Sequence, residues 1–465
     1  MQEAQKTDYK VVELKGLPFI GLAIPIIRDS IGAVMEHSRQ DGDIIAVKIM
    51  GQRTLLLNHP DLVRHVLVDN HKNYRKSDAY IRFESAIGQG ILVSNGEKWR
   101  RDRPKVQPMF SRERISHDYF DIVNEVSEKY KNKWLKLTEH GSIDINITEE
   151  MAKITTEVIL KTIFGKDIDD KTVQDLHSAY SVLIEYLRNL RIFPKIDMRK
   201  YMCAPSYFRF RRALSYIDAQ LLQLTEKYKK QGLHDPKNFL ALLMKAQQEN
   251  PEYFADKDIR DHAVTMVFAG FESTSIMMQW IWYALDDHAA IKQKLREDII
   301  SCAPCLAMPD SAALTYDMLQ EMNYLSVVLK ETMRLYPPFW LAGRQAIEDD
   351  QFGDLKVPRG TVIAVPHITM HRNPKWWSEP NSFIPERFLG DAEKSIDPGI
   401  YFPFSLGPRK CSGHSFVDME ARTVVAKLLP WFDVVALNKV GNCMKPGISL
   451  KLRHPLIVRI SRARN

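Results

Sequence analysis

Cys411 stands two residues before Gly413, at the start of a helical pattern that carries an apolar face from Phe416 to Leu429. A cysteine just ahead of a helix meets the positive end of the helix dipole and backbone N–H groups with no helical partner. Both stabilise a thiolate. Arg409 and Lys410 add positive charge. Gly407 and Gly413 permit tight turns and close approach of backbone to a flat ligand, and Phe404 supplies an apolar wall. The chemistry that fits is a metal-bound thiolate shielded from water. A second group is Ala269-Gly270-Phe271-Glu272-Ser273-Thr274, in the middle of a long apolar helical run. A glycine and two hydroxyls weaken a core helix, and Ser and Thr can bond back to the i−4 carbonyl and bend it. Glu331 and Arg334, three apart, share a helix face and can pair, while Trp99 and Arg103, four apart, share another.

The pattern Phe404-x-x-Gly407-x-Arg409-x-Cys411-x-Gly413 resembles the haem-ligand signature of the cytochrome P450 family. The chain has 20 Phe, 21 Gly and 5 Cys in 465 residues. At that composition the Phe, two Gly and the Cys would coincide by chance in roughly four such chains in ten thousand. Three further segments match the same family in order, so the resemblance spans most of the chain. They are Glu331-Thr-Met-Arg334 running into Leu335-Tyr-Pro-Pro338, Pro385-Glu-Arg-Phe388, and the Glu272 segment.

The resemblance implies a mainly α fold with a smaller β-rich region, enclosing haem b between the long central helix and the Cys411 loop. Cys411 would ligate the iron. Glu272 would be the acid and Ser273 the alcohol of a proton-delivering pair. The family more often has Thr at the alcohol position, so Ser273 and Thr274 both remain candidates. Trp99 and Arg103 would reach the haem propionates, with Arg344 and Arg409 as further cations. Ala269 and Gly270 would face the haem. Arg387 would complete a buried cluster with Glu331 and Arg334, and such a cluster is costly unless fully hydrogen-bonded, so its value would be positional. Phe83, Ile87, Ile91, Phe268, Phe339, Trp340 and Leu341 would line an apolar substrate pocket. The implied activity is insertion of one oxygen atom of O2 into an apolar molecule, a fatty acid or similar lipid first and a terpenoid or steroid second. The same resemblance admits a peroxide-driven peroxygenase, a reductase-independent haem isomerase or dehydratase, and a haem sensor without activity. The Glu272–Ser273 pair speaks against the first and the last.

Around these residues the chain reads as elements in sequence. A helix is predicted from Asp29 to about Gln40, capped by Asp29 or Ser30. A hairpin follows, Ile44 to Ile49 and Arg53 to Asn58. Helical patterns dominate from Pro60 to about Tyr336, the longest from about Asp256 to Asp287. Short strands and Pro/Gly-rich coil follow from Leu341, then one helix and a strand-rich tail. The expected organisation is one catalytic domain over 1–465. It comprises an N-terminal arm (1–28), a β-rich region from about 29–70 and 341–465, and a helical region from about 71–340.

Composition bounds the reading. Hydrophobic residues at 45% and charged residues at 26% exclude a disordered or fibrous chain. Net charge is 65 − 58 = +7, too mild to argue for nucleic acid. Lys98, Arg100, Arg101, Lys105 and Lys410 could form a basic face that steers an acidic ferredoxin, flavodoxin or reductase. No G-x-G-x-x-G after a strand, no G-x-x-x-x-G-K-[ST] and no G-x-S-x-G occurs, so electrons must come from a separate partner. An odd number of cysteines excludes a full disulfide scaffold and fits a reducing compartment. Cys302-Ala-Pro-Cys305 lacks a second half-site, and His367 and His371 read as structural. No run of about 18 apolar residues occurs. The expected location is cytoplasmic, or peripheral to a membrane if a native N-terminal anchor is missing, with Leu190 to Lys195 as a basic and apolar lip.

Overall fold

The apolar runs of Ile44–Ile49 and Gln52–Leu57 pair antiparallel, and the chain reverses at Met50 and Gly51, both left-handed with φ of 49° and 77°. The preceding helix, Ser30–Ser38, is capped by Asp29, whose Oδ1 accepts the Gly32 N–H at 3.0 Å. The computed structural model describes residues 8–15, 21–38, 42–189, 204–233, 236–308, 313–439 and 443–463. These gather into two compact units.

The first unit holds the chain up to Ala79, Lys330–Cys411 and Met444–Lys451. Its six-stranded sheet has the spatial order Val11–Glu13, Ile44–Ile49, Gln52–Leu57, Val362–Val365, Ala342–Ala346 and Tyr74–Lys76. Strands from both ends of the chain therefore meet in one sheet, as the sequence predicts. The inner strands carry fully buried Ile44, Ile45, Leu55, Leu57, Ile363 and Val365. Each such side chain is worth about 1.5–3 kcal/mol of burial.

The second unit holds Tyr80–Leu329, Ser412–Cys443 and Leu452 onward. Its axis is the continuous helix Asp256–Asp287, buried on most sides from Ala263 to Leu285. The helix Ile147–Phe164 packs along it, and so does the helix His414–Leu428. The sequence places the C-terminal tail with the β-rich ends. Here it does otherwise: Ile457–Arg462 pairs antiparallel with Phe432–Ala436 on one side and with Ile143–Asn146 on the other, inside the helical unit. Ile460 and Val458 are buried there, so the tail is held by the helical core.

Candidate active site

In the first unit, Cys411 ends a tight loop. Ser405 N–H donates to Phe402 O at 2.8 Å, Lys410 N–H to Gly407 O at 3.0 Å and Cys411 N–H to Phe404 O at 2.9 Å. Ser405 and Gly407 are left-handed, with φ of 64° and 68°. A Cβ on Gly407 would lie 2.0 Å from the Leu67 carbonyl oxygen, so this position accepts glycine alone. Cys411 is exposed, Lys410 is exposed, and Phe404 and Arg409 are half-buried.

A buried charge cluster stands behind this loop. Arg334 donates to Glu331 through Nε at 2.7 Å and Nη2 at 2.8 Å. It also donates to the carbonyls of His371 (2.8 Å), Pro380 (2.7 Å) and Ser382 (2.9 Å). Glu331 Oε1 takes the Ile384 N–H at 2.8 Å and Arg387 Nε at 3.1 Å. Both Glu331 and Arg334 are fully buried, and the hydrogen bonds answer the desolvation that such a cluster costs. Arg344 is buried and donates to Gly343 O at 3.2 Å. Burial, helped by the Arg344 charge, pushes the nearby His367 down to about 3. Trp340 is also buried, with Nε1 donating to Gly447 O at 3.2 Å. It belongs to the core of this unit, whereas Phe339 is 40% exposed and Leu341 half-buried.

In the second unit, the central helix is buried from Asp261 to Trp282 except at Ala269, Gly270, Glu272 and Ser273, which are only partly covered. Their spacing puts them along one side of the helix. The helix does not break here. Ser273 Oγ donates to Ala269 O at 2.7 Å and Ser275 Oγ to Glu272 O at 2.9 Å, while the α-helix runs on unbroken to Asp287. A Cβ on Gly270 would meet Ile159 Cδ1 at 2.8 Å, so its smallness serves close helix packing. Thr274 is fully buried and turned to Glu420. Burial raises the Glu420 carboxyl well above the ordinary range, and the Thr274 hydroxyl offsets this only in part. Phe83 is buried and lies against Phe268, ring centroids 5.7 Å apart, with Ile87 and Ile91 also buried nearby in sequence.

Trp99 and Arg103 lie on the helix Gly96–Val106, both half-buried, and Arg103 Nη1 donates to Ser412 Oγ at 2.5 Å. Ser412 is the residue after Cys411. The same helix carries buried Asp102, which sequence reasoning missed because an aspartate among arginines reads as surface. Burial pushes its carboxyl up, but hydrogen bonds from His262, Arg101 and Lys98 outweigh this and hold it well below the ordinary range. His262 Nε2 lies 3.2 Å from Asp102 Oδ2. The expected basic face is thereby reduced. Lys98 and Arg101 pair with Asp102 and Asp258, and Lys105 sits over the Tyr253 ring at 4.1 Å. Arg100 stays exposed.

The Leu190–Lys195 lip and Cys203 lie outside the described residues. Cys302 donates to Glu321 O at 3.4 Å, and among the described residues no cluster of His, Cys, Asp and Glu could hold a metal ion. No described helix is long and apolar enough to cross a membrane.

In the first unit, the exposed thiol on a glycine-tightened loop suits the iron of a haem. In the second unit, taken by itself, a partly uncovered helix side carries a carboxylate and a hydroxyl. Gly413 fits as well: an added Cβ would find protein no nearer than Phe110 Cε1 at 3.8 Å, so room is left beside it. The cytochrome P450 family model matches residues 13–458. Cytochrome P450 3A14 of Cavia porcellus is 26% identical over 463 residues, covering 96% of this chain and 90% of that protein. Cytochrome P450 3A7 of Homo sapiens is 25% identical, covering 94% and 86%. The lithocholate 6-beta-hydroxylase of Mesocricetus auratus is 27% identical, covering 87% and 82%.

Proposed function

The chain belongs to the cytochrome P450 family and is a haem-thiolate monooxygenase acting on apolar substrates, and on that premise we propose that Cys411 is the thiolate that holds its haem iron. The observation that carries this is the loop itself. Gly407 and three backbone hydrogen bonds fix the turn, and the thiol at its end is exposed. The haem, when bound, supplies the activation of O2, aided by electron density from the thiolate.

The chain's own residues do the rest. Arg103, Arg344 and Arg409, with Trp99, would hold the propionates by charge and hydrogen bonds. Ala269 would leave space for a flat ring, and Phe404 and Gly413 would flank it. Glu272 and Ser273 share the uncovered side of the central helix, so Glu272 holds the proton and Ser273 passes it on. Thr274 is turned to Glu420 and buried, which favours Ser273 as the working hydroxyl. To act, Ser273 must release the Ala269 carbonyl.

Electrons come from a separate redox partner, and Arg100 and Lys410 are the exposed cations that would meet an acidic one. The substrate is a lipid or steroid, and within the second unit Phe83, Ile87, Ile91 and Phe268 would hold it. The name of the hamster relative supports a steroid. A reduced, CO-bound difference spectrum tests the central assignment. The wild-type chain should show a thiolate-type Soret shift, and Cys411→Ala should lose it. A shift that survives in C411A sinks the assignment.

A further inference from the structure

Arg82 lies in the short helix Ile81–Ile87, directly before Phe83. Phe83 packs on Phe268 of the central helix, four residues before Glu272. Arg82 therefore belongs to the element that covers the helix carrying the acid.

Its surroundings are unusual for an arginine. Its guanidinium carbon sits 4.9 Å from the Phe83 ring centroid. Its Nε is buried and has no hydrogen-bond partner. Burial drives its pKa down, offset only by the nearby Tyr80 phenol. The neighbouring acids are occupied. Glu84 takes the Gln89 side-chain amide. Asp261 takes the Gln89 backbone N–H at 2.8 Å, Lys257 at 2.8 Å and Arg260 at 3.1 Å. Yet Arg82 keeps part of its surface open. A cation that is crowded by protein yet still reachable lines a space. An arginine fork with no counter-ion in an apolar setting is matched by a planar anion, above all a carboxylate.

We propose that Arg82 binds the carboxylate of an otherwise apolar substrate, so that the enzyme takes lipid acids in preference to their uncharged analogues. This rests on the monooxygenase reading and names the substrate class of that site. The chemistry is shared by linear fatty acids and by steroid acids.

Calorimetric titration of the haem-loaded enzyme tests it, with two probe pairs. One is a saturated long-chain fatty acid and its methyl ester; the other is a cholanic acid and its methyl ester. The wild-type chain should bind at least one acid about tenfold more tightly than its ester, the scale of one charge-assisted fork. Arg82→Leu should erase that advantage by weakening the acid while the ester stays within about twofold. Arg82→Lys should keep part of it. An advantage in one pair alone supports the proposal and says which skeleton is taken. Equal binding of acid and ester by the wild-type chain overturns it, and so does an equal loss of both in R82L, which would make Arg82 a packing residue. The reduced CO spectrum of each sample reports the Cys411 assignment separately, because binding is read by heat and not by turnover.

Discussion

His371 Nε2 accepts the Phe402 N–H at 3.0 Å while the His371 carbonyl accepts Arg334 at 2.8 Å. One residue thus ties the buried Glu331–Arg334–Arg387 cluster to the strand-like segment that leads into the Cys411 loop. An imidazole nitrogen can accept only when it is unprotonated. Burial, then the charges of His367 and Arg334, hold His371 far below its usual range, so the acceptor survives in acid. His371→Leu should lower stability by about 1–3 kcal/mol, the cost of leaving a buried N–H unanswered. The loss should be smaller at about pH 5 than at about pH 8, by about 2 kcal/mol, because the unfolded imidazole takes up a proton below about 6.5 that the folded ring refuses, and leucine escapes that penalty. Urea unfolding at both pH values checks this, and a loss that is equal at both or larger at the lower pH contradicts it.

The cluster itself ranks its members. Arg334→Ala strips Glu331 of its bidentate partner and takes this donor from the buried His371 carbonyl and the half-buried Pro380 and Ser382 carbonyls. Arg387→Ala removes one bond to Glu331 from a side chain that is 13% exposed. R334A should cost about 3–5 kcal/mol or prevent folding, as breaking a buried pair does. R387A should cost clearly less. Thermal melts of the two variants side by side give the order, and equal losses would show that Arg334 is not the centre.

Much of this was legible in the sequence because it is carried by local pattern. The Cys411 signature, the Glu331/Arg334 spacing and the long apolar run all state their geometry within a few residues. What the sequence hid is long-range. Nothing near Asp102 announces that His262, 160 positions on, will sit 3.2 Å away. Nothing near Gly270 says that Ile159 will press on it. Thr274 looks equivalent to Ser273 until Glu420 is set beside one of them. The basic face is reduced for the same reason: Lys98 and Arg101 look solvated until Asp258 is brought to them.

Two glycines of the signature should behave differently. Gly407→Ala forces a left-handed alanine into the Leu67 carbonyl, so it should destabilise the chain with or without haem, by more than about 1–2 kcal/mol. Gly413→Ala meets no protein atom closer than 3.8 Å, so the haem-free chain should melt as the wild type does. If Gly413 flanks the haem, G413A should still lower haem occupancy. Melting of haem-free protein, paired with the haem-to-protein ratio, separates the two cases. Destabilised haem-free G413A would place its role in the protein alone.

Ser273 and Thr274 should also part. Ser273→Ala removes the hydroxyl on the uncovered side of the helix and leaves the core intact. It should lower the share of consumed electrons that reaches product, by about tenfold or more, the scale of a lost proton-transfer group. Thr274→Val should change coupling little and act instead through Glu420. Product and peroxide measured against NADPH consumption decide it. Strong uncoupling in T274V with none in S273A would move the assignment to Thr274.

The Glu420 carboxyl predicts a pH slope. Unfolded, it titrates near about 4.3. Folded, burial raises it well above that, with the Thr274 hydroxyl only partly opposing, so the native chain holds a proton that the unfolded chain releases. Between the two pKa values the native state binds more protons, and stability must therefore fall as pH rises, by about 1.4 kcal/mol per pH unit for one group. The contribution carries no penalty below the unfolded pKa and levels off above the folded one. Glu420→Gln cannot ionise and should remove the slope. E420Q should gain on the wild type as pH rises above about 4.3, until the folded carboxyl itself ionises. Denaturation curves of the two proteins across that range measure the difference directly. Parallel pH profiles would mean that Glu420 is charged in the folded chain, and the buried acid beside Thr274 would be lost with it.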